Sequence, residues 1–209
     1  MRLLQGLIFL LFIPSYLVAG QQPEQLYVKA GNIYYAQTQL TQSGYNSLPV
    51  LSHDKKSIAF IKTSTKIIPE RCRAFADTRT SYGEQIWIVN IEQKKEQLLV
   101  SNVFSCDKPT EMIVDPKQLI FSPDSKILYF LTSAWATSGA VHAVNIKEAR
   151  ERYLLPANSL KVVMDGQYRG GLILNQHRYF IGGGSYDWFW LFTPEGKEIG
   201  PLGEDEPTL

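Results

Sequence analysis

The sequence is poor in cysteine, in histidine and in net charge of either sign. Only Cys72 and Cys106 occur in 209 residues. Two cysteines this far apart exclude a CxxC redox centre. They are too few for a structural zinc site unless histidines supply the remaining ligands. The three histidines, His53, His142 and His177, share no metal-ligand spacing, so no metal site is expected. Basic residues number 21 and acidic residues 20, so no field of one sign is available to gather nucleic acid or anionic lipid. No Gly-x-Ser-x-Gly elbow is present, which removes the usual nucleophile signature of an α/β-hydrolase. Gly182-Gly183-Gly184 is not followed by the lysine of a phosphate loop, so no nucleotide or other cofactor is expected.

Long apolar runs are missing beyond the first twenty residues, and no later segment is a candidate membrane span. Residues 1–20 read as a signal peptide. Arg2 starts it, Leu3-Leu4, Leu7 to Ile13 and Tyr16-Leu17-Val18 form the apolar part, and Val18-Ala19-Gly20 supplies small residues for cleavage. An uncleaved anchor would need a longer run, and Pro14 interrupts this one. Leu17 to Gly20 also looks like the start of a lipoprotein box, but Gln21 stands where the lipidated cysteine would be. The expected mature domain is 21–209, periplasmic or secreted, with no membrane attachment after leader removal. In an oxidising compartment an isolated cysteine pair reads as one disulfide, Cys72–Cys106. The loop it closes corresponds to a stabilisation of roughly 3–4 kcal/mol in the chain-entropy model.

What the chain does contain is aromatic residues, at 12%: 11 Tyr, 10 Phe and 4 Trp. Such rings suit a half-buried pleated surface. They sit in short apolar runs separated by polar turns: SIAFI at 57–61, IWIVNI at 86–91, ILYFL at 127–131, VHAVNI at 141–146 and WFWLF at 188–192. Ile146 to Tyr153 has good helix formers but no apolar stripe, and it reads as a charged turn between strands. Alternation sends Trp188, Trp190 and Phe192 to one face of their strand and Phe189 and Leu191 to the other. Both faces are apolar, which predicts a strand between two packed sheets.

A repeat organises these runs. Val89-Asn90-Ile91 recurs 55 positions later as Val144-Asn145-Ile146, each time followed by a charged turn and another apolar strand. Upstream, Leu51-Ser52-His53-Asp54-Lys55-Lys56-Ser57-Ile58-Ala59-Phe60 aligns with Phe121-Ser122-Pro123-Asp124-Ser125-Lys126-Ile127-Leu128-Tyr129-Phe130. Each unit reads as four strands at a propeller-blade period. The aspartates of the turn accept backbone N–H groups just ahead of them, so they punctuate the repeat and are not a catalytic pair.

These two segments, with Leu40-Thr41 ahead of the first and Ile86-Trp87-Ile88-Val89-Asn90 after it, resemble the WD40-like repeat of the TolB periplasmic propeller family. The resemblance covers roughly 40–155 and fades towards the C-terminus. Lys56 and Ser125 replace the family's turn glycine, and His53 replaces its first proline. It implies an all-β, propeller-like array. The 189 residues after the leader suffice for about four antiparallel four-stranded blades. The family normally closes six, so four imply a compact ring or an incomplete one. An incomplete ring leaves an open sheet edge, to be covered by a partner or by a homo-oligomer.

Candidate binding residues follow from the loops. The segment 65–84 is a long polar insertion carrying Arg71, Arg73, Arg79 and Tyr82, with Cys72 as its staple. Trp135 and Tyr186 are aromatic residues expected in loops. The leading expectation is a non-enzymatic binding or scaffold module that engages a protein or peptide of the cell envelope. The alternative is an enzyme acting on carbohydrate or cell wall, with Asp165, Asp187 and Glu195 as candidate acids or with a channel metal. A structural subunit that completes its ring by oligomerising is a third reading.

Overall fold

In the computed structural model the described residues are 25–74 and 81–207. The expected leader 1–20 and Arg79 lie outside them. The described residues form fifteen strands and one short helix. Sheet 1 contains β1 (Leu26–Lys29), β2 (Asn32–Tyr35) and β3 (Thr38–Gln39). Sheet 2 contains β4 (Asn46–Leu51), β5 (Ser57–Ile67), β6 (Tyr82–Asn90) and β7 (Glu96–Val100). Sheet 3 contains β8 (Lys117–Phe121), β9 (Ile127–Ser133), β10 (Gly139–Asn145) and β11 (Arg150–Ala157). Sheet 4 contains β12 (Ser159–Val162), β13 (Leu172–Tyr179), β14 (Ser185–Phe192) and β15 (Glu198–Gly203). The helix α1 (Glu70–Arg73) lies between β5 and β6.

Each sheet is an antiparallel meander, as the repeat predicts, except that sheet 1 has three strands rather than four. The first strands of successive sheets meet: β1 lies against β4, β4 against β8, and β8 against β12. The sheets therefore fan out from a shared line in the manner of propeller blades. The sheets do not close into a ring among the described residues.

The core follows from this stacking, because each sheet hides an apolar face against its neighbour. Ile33, Ile58, Phe60 and Val89 join sheets 1 and 2. Ile61, Ile86, Phe121 and Phe130 join sheets 2 and 3. Leu131, Val141, Leu174 and Trp190 join sheets 3 and 4. Side chains of this size contribute roughly 1.5–3 kcal/mol each when fully buried. The expected split of the last aromatic strand holds. Trp188, Trp190 and Phe192 face sheet 3, while Phe189 and Leu191 face away. The expectation of a second sheet on that outer side does not hold. Its small buried cluster is Val163, Ile173 and Leu191, with Phe189 beside it.

The two Ser-x-Asp turns are superimposable in their bonding. Ser52 and Ser122 donate to the carboxylates of Asp54 and Asp124 at 2.6 and 2.7 Å. Those carboxylates accept the amides of Lys56 and Lys126 at 3.1 and 3.2 Å. Lys55 and Ser125 adopt φ of 57° and 60°, so the left-handed turn position that favours glycine falls on Lys55 and not, as expected, on Lys56. The amide of Asp54 donates to the Ser125 hydroxyl at 3.2 Å, tying one turn to the other. Asn90 and Asn145 are equally matched, capping their turns through the amides of Gln93 and Glu148. The second charged turn is shorter than the sequence suggests, because β11 already starts at Arg150.

Candidate functional site

A cleft with a loop-borne aromatic side chain lies at the β9–β10 end of sheet 3. It encloses about 570 Å³ and includes Ala74, Lys117, Ser133, Trp135, Ser138 and Asn158 in its lining. Each wall is fixed by a different piece of sequence. Trp135 donates its amide to Ser138 at 2.8 Å, folding 135–138 into a tight loop. Its indole meets Tyr153 edge-on at 6.4 Å and stays 36% exposed, so it has an apolar support and a free surface. Gly139 opens β10 where a Cβ would lie 2.7 Å from the Thr132 carbonyl oxygen. A larger residue there would push the strands apart. Asn158 donates its amide to Asn175 at 2.8 Å, and Gln118 accepts the Leu160 amide at 3.0 Å, which anchors the β11–β12 corner.

Two polar lining residues, Ser133 and Lys117, share Asp115 as a partner outside the lining. Asp115 accepts the Ser133 hydroxyl at 2.8 Å and the Lys117 ammonium at 3.4 Å. Burial pushes the nearby Glu84 carboxyl above its usual range, and the charge of Asp115 adds to the shift. The polar part of the lining is thus one cation, Lys117, with the hydroxyl of Ser133 and the amide of Asn158. It suits hydrogen-bonding a polar backbone better than holding a lone ion.

A further lining residue, Ala74, comes from the described part of the insertion between β5 and β6. β5 extends to Ile67 and β6 begins at Tyr82, so the connecting segment is shorter than the polar stretch suggests. Cys72 and Cys106 form a disulfide with Cα atoms 5.2 Å apart. It sits in a small apolar cluster with Ile68, Met112 and Val114. This holds α1 and, directly after it, the cleft residue Ala74.

The six sequence-predicted binding residues are therefore only partly gathered. Trp135 lines the cleft. Arg71 and Arg73 are exposed on the turn that ends at Ala74, and Arg73 pairs with Glu70 at 2.8 Å. Tyr82 is exposed at the start of β6, opposite Ile67. Tyr186 is elsewhere: it lies within β14, not in a loop, and packs on Phe180 and Trp188. His177 is inside β13 and bonds Asp187 at 2.9 Å.

A second constellation escaped the sequence reading. His142 is fully buried; its Nε2 lies 3.2 Å from the Thr132 hydroxyl and its Nδ1 2.5 Å from Glu151. Phe130 stacks on the ring and Tyr153 meets it edge-on. The register assigns the same positions in sheet 2 to Lys62, Trp87 and Glu96. There Lys62 lies 4.4 Å from the Trp87 ring centroid and bonds Glu96 at 2.8 Å. In sheet 4, Arg178 stacks 3.5 Å over Trp190 and bonds Glu198 at 2.7 Å. Three sheets thus repeat one device, in which a ring on the third strand is bracketed by a polar group and a glutamate on the fourth. The 55-residue offset, applied to Trp87 and Glu96, would have pointed to His142 and Glu151.

The three candidate acids are not brought into one site. Asp187 is at the far end of sheet 4 from the 163–171 loop that holds Asp165 and from the β14–β15 turn that holds Glu195. No cluster of three or more metal-ligating side chains occurs among the described residues.

No protein-family model matches the sequence, and a search of curated proteins finds no relative of it. Solved structures do match. Dipeptidyl peptidase 4 of Porphyromonas gingivalis is similar over 86% of this chain and 31% of its own, with 12% identity and a TM-score of 0.59. TolB of Acinetobacter baumannii matches over 83% of this chain and 38% of its own, with 14% identity and a TM-score of 0.49. The β-propeller domain of the Trilobed protease from Pyrococcus furiosus, described as having an open velcro topology, matches over 77% and 43%, with 16% identity and a TM-score of 0.46. The chain spans less than half the length of each. At these identities the likeness is one of fold, and the fold is that of an incomplete β-propeller.

Proposed function

We propose that this chain is an exported, non-enzymatic binding module that engages a protein or peptide of the cell envelope at the Trp135 cleft. The observation that carries the reading is the construction of that cleft. A part-exposed tryptophan shares the lining with the polar Lys117, Ser133 and Asn158, and the lining residue Ala74 follows the disulfide-bonded Cys72. Rigid aromatic anchors beside satisfied polar groups are what protein and peptide recognition uses. The disulfide and the apolar leader support a periplasmic or secreted location. The alternative carbohydrate-acting enzyme has lost its motivating feature, since Asp165, Asp187 and Glu195 are dispersed. Pull-down from the exported fraction, run in parallel with wild type and Trp135→Ala, tests the proposal. A reproducible partner retained by wild type and lost by the variant is expected. Equal recovery by both, or no reproducible partner, would sink it.

A further inference from the structure

The stacking pattern continues onto a face that no sheet of the described residues covers. In sheets 2, 3 and 4 the last two strands share a bulge at the same place: between Ile86 and Trp87, between Val141 and His142, and between Phe189 and Trp190. The residue left unpaired is a leucine each time: Leu99, Leu154 and Leu202. Leu99 and Leu154 belong to the clusters that meet the next sheet. By the same register Phe189 occupies the position of Ile86 and Val141, and Leu191 that of Ile88 and Ala143. Sheet 4 therefore carries the residues of a stacking surface. Leu99 is 4% exposed, whereas Leu202 is 41% exposed and Ile199 beside it 46%. Exposed apolar area of this kind on a sheet face marks an association site.

We propose that the outer face of sheet 4 docks against the same face of a second copy of this chain. Continuity is the first argument, since the two other stacking positions of this type among the described residues, Leu99 and Leu154, are covered by a sheet. Charge is the second. A formal net charge of +1 sets up no repulsion between copies. The rim carries Lys161 with Glu206 and His177 with Asp187, both signs on one face, as a self-complementary two-fold contact requires. Shape is the third. The outer side of sheet 1 offers only strands of four, four and two residues with the stacked pair Tyr27–Tyr34, too little to cover four strands. Beside the sheet 4 face, the β13–β14 hairpin raises Phe180 and the fully exposed Ile181 at its tip, apolar groups placed to reach the second copy.

Sedimentation velocity on the folded chain between about 1 and about 100 µM tests this. Wild type is expected to sediment as a dimer at the upper end. Leu202→Glu is expected to raise the dimer dissociation constant roughly tenfold or more, because a carboxylate would be buried in the contact. Leu202→Ala, which adds no charge and leaves the monomer's core untouched, is expected to weaken it less. It serves if the glutamate variant does not fold. Trp135→Ala is expected to leave the association unchanged, which separates this proposal from the one for the cleft. A wild type that stays monomeric throughout would overturn it. So would folded Leu202 variants that dimerise as wild type does.

Discussion

Removing the Cys72–Cys106 disulfide should loosen the cleft before it unfolds the sheets. The bond spans 34 residues, and constraining a loop of that length in the unfolded chain is worth roughly 3–4 kcal/mol. Both sulfurs are buried against Ile68, Met112 and Val114. The double variant Cys72→Ala, Cys106→Ala therefore also leaves small voids, which add about 1 kcal/mol. A loss of roughly 4–5 kcal/mol is large against the 5–15 kcal/mol of a typical domain. The sheet clusters contain neither cysteine, so the variant should remain folded in the cold with its strands intact. Urea unfolding followed by circular dichroism reads the global loss. Hydrogen exchange reads its distribution, with faster exchange expected at Ile68, whose amide bonds the Ser81 carbonyl, and at Cys72. A global loss below about 1 kcal/mol would refute the entropic argument. Exchange that quickens equally in sheet 4 would refute the claim that the bond serves the cleft wall.

Three further outcomes follow from the repeat and from Glu84. His142→Phe keeps the stacking but strands Thr132 and Glu151, and should cost about 1–2 kcal/mol. His142→Ala adds a cavity and should cost about 3–5 kcal/mol by urea unfolding; equal costs would contradict the division between polar and packing terms. Asp124 is held below the ordinary carboxylate range, first by the Ser122 hydroxyl and then by the Lys126 amide. A depressed folded pKa stabilises above the unfolded value and loses that contribution as pH falls through the folded one. Asp124→Ala should therefore cost under about 1 kcal/mol at neutral pH, since the side chain is half-exposed. The difference from wild type should vanish in acid below about pH 3; a gap that widens in acid would reverse the assignment. Glu84 has the opposite sign, its carboxyl pushed up by burial and then by Asp115. It costs stability once ionised, so Glu84→Gln should raise the Tm at neutral pH and not near pH 4. A lower Tm at neutral pH would show a bonded carboxylate instead.

Much of the architecture is legible in the sequence because it is written in repeated turns. Ser52-x-Asp54 and Ser122-x-Asp124 place their strands through local hydrogen bonds, as do Asn90 and Asn145, and local bonds are encoded by neighbouring residues. Strand faces are legible for the same reason, as Trp188 to Phe192 shows. What is not legible depends on which segments meet. The outer face of sheet 4 is one case: nothing within Phe189 or Leu191 says that no sheet of the described residues packs on it. Tyr186 is another. Its neighbours Gly183 and Gly184 suggest a loop, yet pairing with Arg178 draws it into β14. The cleft falls between these extremes. Trp135 stands out as a loop aromatic, but Lys117, Ser133 and Asn158 are ordinary polar residues until β8, β9 and the β11–β12 corner converge on them.

The most direct test of the binding claim is selection of a random peptide library on the immobilised chain, followed by affinity measurement of the enriched peptides on wild type and Trp135→Ala. Peptides that bind wild type and lose roughly tenfold or more on the folded variant are the predicted result. Enriched peptides that bind both equally, or a library that yields none, would contradict the assignment of recognition to this cleft.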